Sequence, residues 1–199
     1  MSEHVHRDDF GSKLGMWLFL VTEIVLFGGL FIAYSYMRAK YPHEFHHAGM
    51  QLNATLGVIN TFVLLTSSLT MVLAIVAIQK GDVSLSKKLT ATTIGLGLVF
   101  LVIKAFEWGA KFSHGLYPSS AHLGTLPPGE QVFFGLYFSM TGLHGVHVIA
   151  GMGVLAVMLL KVGKTITPEK YVTLENGGLY WHLVDVIWIF LLPLFYLAA

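Results

Sequence analysis

The sequence contains no cysteine, little charge, and no proline near the middle of its long apolar segments. The missing cysteine excludes disulfides, thiolate nucleophiles, iron–sulfur clusters and cysteine-bound copper. Charged residues make up 12% of the chain, about half the share of an ordinary soluble domain. Net charge is +1, too balanced to point to a nucleic-acid partner. The prolines fall in connecting stretches, except Pro193, which sits near the end of the last apolar run. Broken helices at the membrane midplane, the mark of many secondary transporters, therefore have no sequence support.

What is present is apolar. Hydrophobic residues make up 55% of the 199 positions and mean hydropathy is +0.69. Five segments reach the roughly 20 residues that a helix needs to cross a bilayer. They run over Leu14–Tyr36, Leu56–Ile78, Leu89–Ala110, Val132–Leu160 and Leu179–Leu197. The fourth is long enough to tilt or to extend past the membrane. Turn formers at Pro42, Gly49, Gly81, 124–130 and Gly177–Gly178 mark the connections. No loop has room for a second domain and no internal repeat appears. The expected fold is all-α, one integral membrane bundle over 14–199 preceded by a polar tail over 1–13. The tail lacks a short apolar core and a cleavage site, and reads as retained.

Lysine and arginine distribution gives the orientation. Arg7, Lys13, Lys80, Lys87, Lys88, Lys161, Lys164 and Lys170 fall on one side, against Arg38, Lys40 and Lys111 on the other. The bias places the amino-terminus in the cytoplasm and the carboxy-terminus outside. On the second segment, Asn60, Ser67, Thr70, Ala74 and Ala77 lie near one face, and small residues at that spacing serve close helix packing. Gly28, Gly29, Gly95, Gly97, Gly142, Gly145, Gly151 and Gly153 receive the same reading.

An ionisable side chain inside the membrane is costly and needs a reason. Glu23 lies about 13 Å along the first segment at 1.5 Å per residue, among Phe19, Leu20, Leu26 and Phe27. Two readings are open for it: an acid hydrogen-bonded to another helix, and a proton relay. His144 and His147 fall near mid-depth on the fourth segment, and His182 and Asp185 on the inner half of the fifth. Together with Glu23 they can form one polar layer. Lys104 and Glu107 form a second layer in the outer half of the third segment. Three apart, they can pair, with Trp108 in reach of the lysine for a cation–π contact.

These histidines are poor haem ligands. His144 and His147 share a face of one helix, so only His182 could complete a bis-histidine site, and an oxygen-reducing haem–copper centre needs more membrane histidines than three. Interhelical hydrogen bonding is the better account. "HEFHH" at 43–47 matches the zinc-protease pattern H-E-x-x-H, but it reads as a short solvated loop between Pro42 and Gly49 with no fixed third ligand. A proton-coupled transporter and a b-type cytochrome remain rival classes, the first weakened by the absent repeat.

"GMWLFLVTEIVLFGGLF" (15–31), "FEWGAKFSHG" (106–115), "TGLHGVHVIAG" (141–151) and "YWHLVDVIWIFLL" (180–192) resemble cytochrome c oxidase subunit III, in that family's order and over four of the five segments. The motifs carry Glu23, Glu107, His144, His147, His182 and Asp185 onto the family's intramembrane polar positions. The resemblance implies a non-catalytic subunit of a haem–copper terminal oxidase in a bacterial inner membrane. Haem and copper would belong to subunits I and II, and this chain would pack against subunit I, hold phospholipid and support proton uptake on the inner side. It implies no metal ligand and no catalytic residue here. The family's long form has seven helices, and this chain begins at what resembles the third. Five-helix relatives include subunits of quinol oxidases and of complexes associated with nitric-oxide reductase. The glutamate in "TEIVLFGG" favours the cytochrome c oxidase type.

Overall fold

Asn53 and Asp82 each turn a side-chain oxygen back onto a free backbone amide three residues on, at Leu56 and Leu85. These caps start two long helices before their first apolar residues. The computed structural model describes residues 9–197. Its helices are α1 (Asp9–Lys40), α2 (Pro42–Gly49), α3 (Ala54–Gln79), α4 (Val83–Ser113), α5 (Pro128–Lys161) and α6 (Val172–Leu192). A 3₁₀ turn covers Leu123–Thr125, and α6 runs on into a π turn over Pro193–Leu197. All but α2 are long and apolar enough to cross a membrane. The all-α five-span bundle is therefore observed, with each span starting earlier than its apolar run.

Two local expectations need correction. The stretch containing "HEFHH" is helical, because Pro42 preorganises the first turn and Phe45 and Ala48 are buried beneath it. Gly177 and Gly178 form no turn. They lie inside α6, where an added Cβ would meet Met158 Sδ at 2.4 Å and Ile75 Cδ1 at 2.7 Å. Residues 9–13 of the tail are helical, as the start of α1; residues 1–8 of it lie outside the described ones.

The fold is organised around α6. Half of its most apolar window is buried, against 11% for α1, and it packs on α1, α3 and α5. The α3–α4 hairpin closes one side, and α5 bridges α4 to α6. Trp181 fixes this arrangement. An added Cβ on Gly97 of α4 or Gly151 of α5 would stand 2.8 or 3.0 Å from its ring, and its Nε1 donates to Ser67 Oγ of α3 at 3.0 Å. Small residues thus let three helices close around one indole. Asn60, Ser67, Ala74 and Ala77 of α3 are buried as their spacing suggests, and Thr70 meets Thr93 of α4 at 2.7 Å. Gly142 packs under Trp108, but Gly28, Gly29, Gly95, Gly145 and Gly153 face open space. For these five the packing reading fails within the chain.

On the side opposite the amino-terminal tail, Tyr34, Phe45, Phe133 and Phe195 interlock edge to face, with centroids 4.9–5.6 Å apart. This cluster ties the short α2 to α1, α5 and the π turn. Trp17, Ile24, Phe62, Leu69, Leu98 and Phe106 are exposed, as a hydrocarbon solvent requires of a bundle's outer faces.

Candidate functional site

The intramembrane polar residues form three separate clusters. The tightest is built on Lys104 and Glu107, neighbours on the inner face of α4. Lys104 Nζ donates to Glu107 Oε2 at 2.9 Å, to the Tyr137 hydroxyl of α5 at 3.1 Å and to the Tyr196 hydroxyl at 2.8 Å. Both tyrosines donate to Glu107 Oε1, at 2.9 and 2.6 Å. The ammonium's three donors are all used, and both carboxyl oxygens are engaged. The expected Lys104–Glu107 pair is present. The expected cation–π contact with Trp108 is replaced by contacts with Tyr137, Trp188 and Tyr196, 5.1–5.5 Å from the ring centroids. Glu107 and the two phenols draw the ammonium into the bundle, while Trp108 packs on Phe138 instead.

Tyr196 reaches this cluster because Pro193 has no amide hydrogen to continue the α-helical pattern, and the chain widens into the π turn. Tyr34 of α1 donates its hydroxyl to the Leu194 carbonyl in that turn. Neither tyrosine of the cluster stands out in the sequence, since a tyrosine in an apolar run carries no signal of its own.

The second cluster joins α1 to α5. His147 Nε2 meets Glu23 Oε2 at 2.9 Å, and its Nδ1 lies 2.8 Å from the Leu143 carbonyl. A carbonyl only accepts, so Nδ1 carries a proton. The Glu23–His147 contact then holds one proton, on the carboxyl or on Nε2. Tyr180 of α6 donates its hydroxyl to the His147 carbonyl at 3.1 Å, and Phe27 sits edge-on to the imidazole at 5.3 Å. Both side chains of the pair are largely buried, with 13% and 15% of their surface still exposed. A groove of about 390 Å³ between α1, α5 and α6 approaches this cluster from the amino-terminal side, lined by Met16, Phe19, Val154, Met158, Gly177 and Tyr180. At the surface beyond it, Lys13 pairs with Glu175 at 2.9 Å.

The third cluster lies on the α3–α6 seam. His182 Nδ1 meets Ser68 Oγ at 2.7 Å, and the buried Asp185 carboxyl lies beside the same serine. His182 stands ten residues into a 26-residue span, about 15 Å along it at 1.5 Å per residue. Because α6 begins at Val172, it lies close to the middle of the span, still in its first half. His144 belongs to none of the clusters. It is fully buried between Phe100 and Trp188, with ring centroids 5.5 and 5.4 Å away, and neither nitrogen has a hydrogen-bond partner among the described residues. His144 and His147 are three apart, yet they face different neighbours.

None of this geometry resembles a metal centre. Among the described residues, no three His, Cys, Asp or Glu side chains converge as a ligand set. In α2, His47 is exposed and its Nδ1 meets Glu130 Oε1 of α5 at 3.0 Å. The helix that H-E-x-x-H requires is therefore present, but among the described residues no third ligand converges on it.

Comparison with known proteins agrees with the motifs. The family model described as cytochrome c oxidase subunit III matches residues 1–199. Cytochrome c oxidase subunit 3 of Thermostichus vulcanus is 31% identical over 99% of this chain and 92% of its own length. The probable quinol oxidase subunit 3 of Staphylococcus haemolyticus is 31% identical over 94% and 89%. The haem–copper oxidase subunit I+III of Aeropyrum pernix is 28% identical over 94% of this chain and 22% of its own. A match over the full length, with the intramembrane acids and histidines on the recognised motifs, leaves one conclusion: the chain belongs to the cytochrome c oxidase subunit III family.

Proposed function

We propose that this chain works as the accessory subunit III of a proton-translocating cytochrome c oxidase, packed on subunit I beside subunit II. It would hold phospholipid at its flank and sustain proton uptake during turnover. The observation that carries the reading is the full-length family match. The partner assignment draws on the relative whose name joins subunits I and III. Haem and copper would reside in the partner subunits. Within this chain Lys104 and Glu107 are held by two tyrosines, His147 by Glu23 and Leu143, and His182 Nδ1 by Ser68.

Two features of the site support the finer reading. The groove between α1, α5 and α6 is apolar, which suits an acyl chain. Lys161 borders its continuation along α5. At the deep end, Glu23 and His147 hold a proton that either can carry. Passing that proton from one to the other keeps the pair net neutral, so the transfer itself leaves no isolated charge in hydrocarbon. The chain would sit in the bacterial inner membrane with the amino-terminus in the cytoplasm, following the lysine bias. The quinol oxidase reading draws on an equally similar relative, and the electron donor of the purified complex decides between the two.

Removing the subunit from the complex tests its role. Oxygen reduction should continue at first, then fall through slower proton uptake or inactivation during turnover. Immediate and complete loss of activity in an otherwise intact remainder would contradict an accessory role.

A further inference from the structure

We propose that the α3–α6 seam, centred on Ser68, His182 and Asp185, is the face on which a membrane-spanning helix of subunit I docks. The proposal rests on the oxidase reading above and adds to it the face and the chemistry of the contact.

The clusters differ in what they leave unsatisfied. Lys104 and Glu107 find every partner inside the chain, and Glu23 and His147 satisfy each other. On the seam, His182 is half-buried, and its one hydrogen bond among the described residues is the Nδ1 contact with Ser68. Its Nε2 is left without a partner near mid-depth, where acyl chains have no donor or acceptor to give. Beneath it the Asp185 carboxyl is buried within the chain beside Ser68.

The shape of this face suits a helix. α6 is recessed between α1 and α3, and His182, Val186 and Ile189 recur at i, i+4 and i+7, so they form one stripe. Val186 and Ile189 are 44% and 41% exposed. Beside the stripe, an apolar groove of about 310 Å³ runs between α1 and α6, bordered by Ile24, Gly28, Phe31 and Phe190. An added Cβ on Gly28 would touch nothing, which leaves room for a close helix–helix approach. The outer face of α4 contrasts with it: Leu98, Val99, Val102 and Phe106 present only hydrocarbon.

A phospholipid does not meet the need at His182, because its polar atoms stay at the membrane surface, about 15 Å from the bilayer centre. A protein helix brings a hydroxyl, amide or backbone carbonyl to that depth. The partner helix should therefore carry a hydrogen-bonding group level with His182, among otherwise small or apolar residues.

Because the chain has no native cysteine, Val186→Cys and Val102→Cys each create a unique labelling site. Each variant is spin-labelled before reassembly with the rest of the complex in lipid vesicles, and the label's collision rate with molecular oxygen is measured with and without the partner subunits. The proposal expects a severalfold drop at 186 on assembly and no change at 102. Equal accessibility at the two sites in the complex would overturn it. So would a label at 186 that is shielded even without partners, since a lipid or a second copy would then be the occupant. His182→Phe should loosen subunit I under detergent washing while the isolated chain keeps its helical circular dichroism. Undiminished retention with that variant would overturn the hydrogen-bonding part. Failure of the oxidase reading looks different: no haem-bearing subunit would accompany even the unsubstituted chain.

Discussion

Replacing Glu107 with leucine removes the counter-charge and the acceptor at the centre of the Lys104 cluster. Lys104 is 8% exposed, so water cannot replace the lost partner. The substitution deletes one ion pair at 2.9 Å and two hydroxyl–carboxylate bonds at 2.9 and 2.6 Å. It leaves the ammonium facing two phenol oxygens. Breaking a buried pair from one side costs about 3–5 kcal/mol. Lys104→Met should also be costly, because it leaves a carboxylate held by the two tyrosines alone. The double variant carries neither charge, and exchange of a buried pair for apolar side chains is often close to neutral. The two single costs should therefore fail to add, with the double variant more stable than Glu107→Leu alone. Unfolding free energies from steric trapping in bicelles would measure the cycle. A cost for Glu107→Leu below about 1 kcal/mol, the size found for exposed pairs, would refute the argument, as would simple additivity.

Glu23→Gln should leave the subunit assembled, since Gln keeps the shape and hydrogen-bonding capacity of the neutral acid, whereas Glu23→Ala strands His147. Infrared difference spectra of wild type against Glu23→Gln then assign the carboxyl stretch, and collapse of the complex with Gln would show that the charge itself is needed. Reporter fusions should place the amino-terminus in the cytoplasm and the carboxy-terminus outside; both ends on one side would mean that a helix does not cross.

The spans, and the presence of charge within them, were legible because charge in an apolar run is conspicuous. Glu23, Lys104, Glu107 and Asp185 needed no structure to be noticed. Which partner each one meets was not legible. Spacing tells which residues share a helix face but not how neighbouring helices rotate against that face, so His144 and His147 looked like one layer and belong to different surroundings. Lys104 shows the same limit. Spacing along α4 pointed to Trp108, but the aromatic cage comes from α5, α6 and the π turn. The short α2 escaped notice because its histidines and glutamate mask the two apolar side chains, Phe45 and Ala48, that anchor it. Helix ends were misplaced where polar first turns, begun by Asn53 and Asp82, precede the apolar run.

Identification of what accompanies the chain out of its native membrane, in mild detergent, tests the central claim most directly. The account predicts a large haem- and copper-bearing subunit that reduces oxygen, together with this chain, which carries neither haem nor copper once it is stripped away. Stoichiometric haem retained by the isolated chain, or purification without any haem-bearing partner, would contradict it.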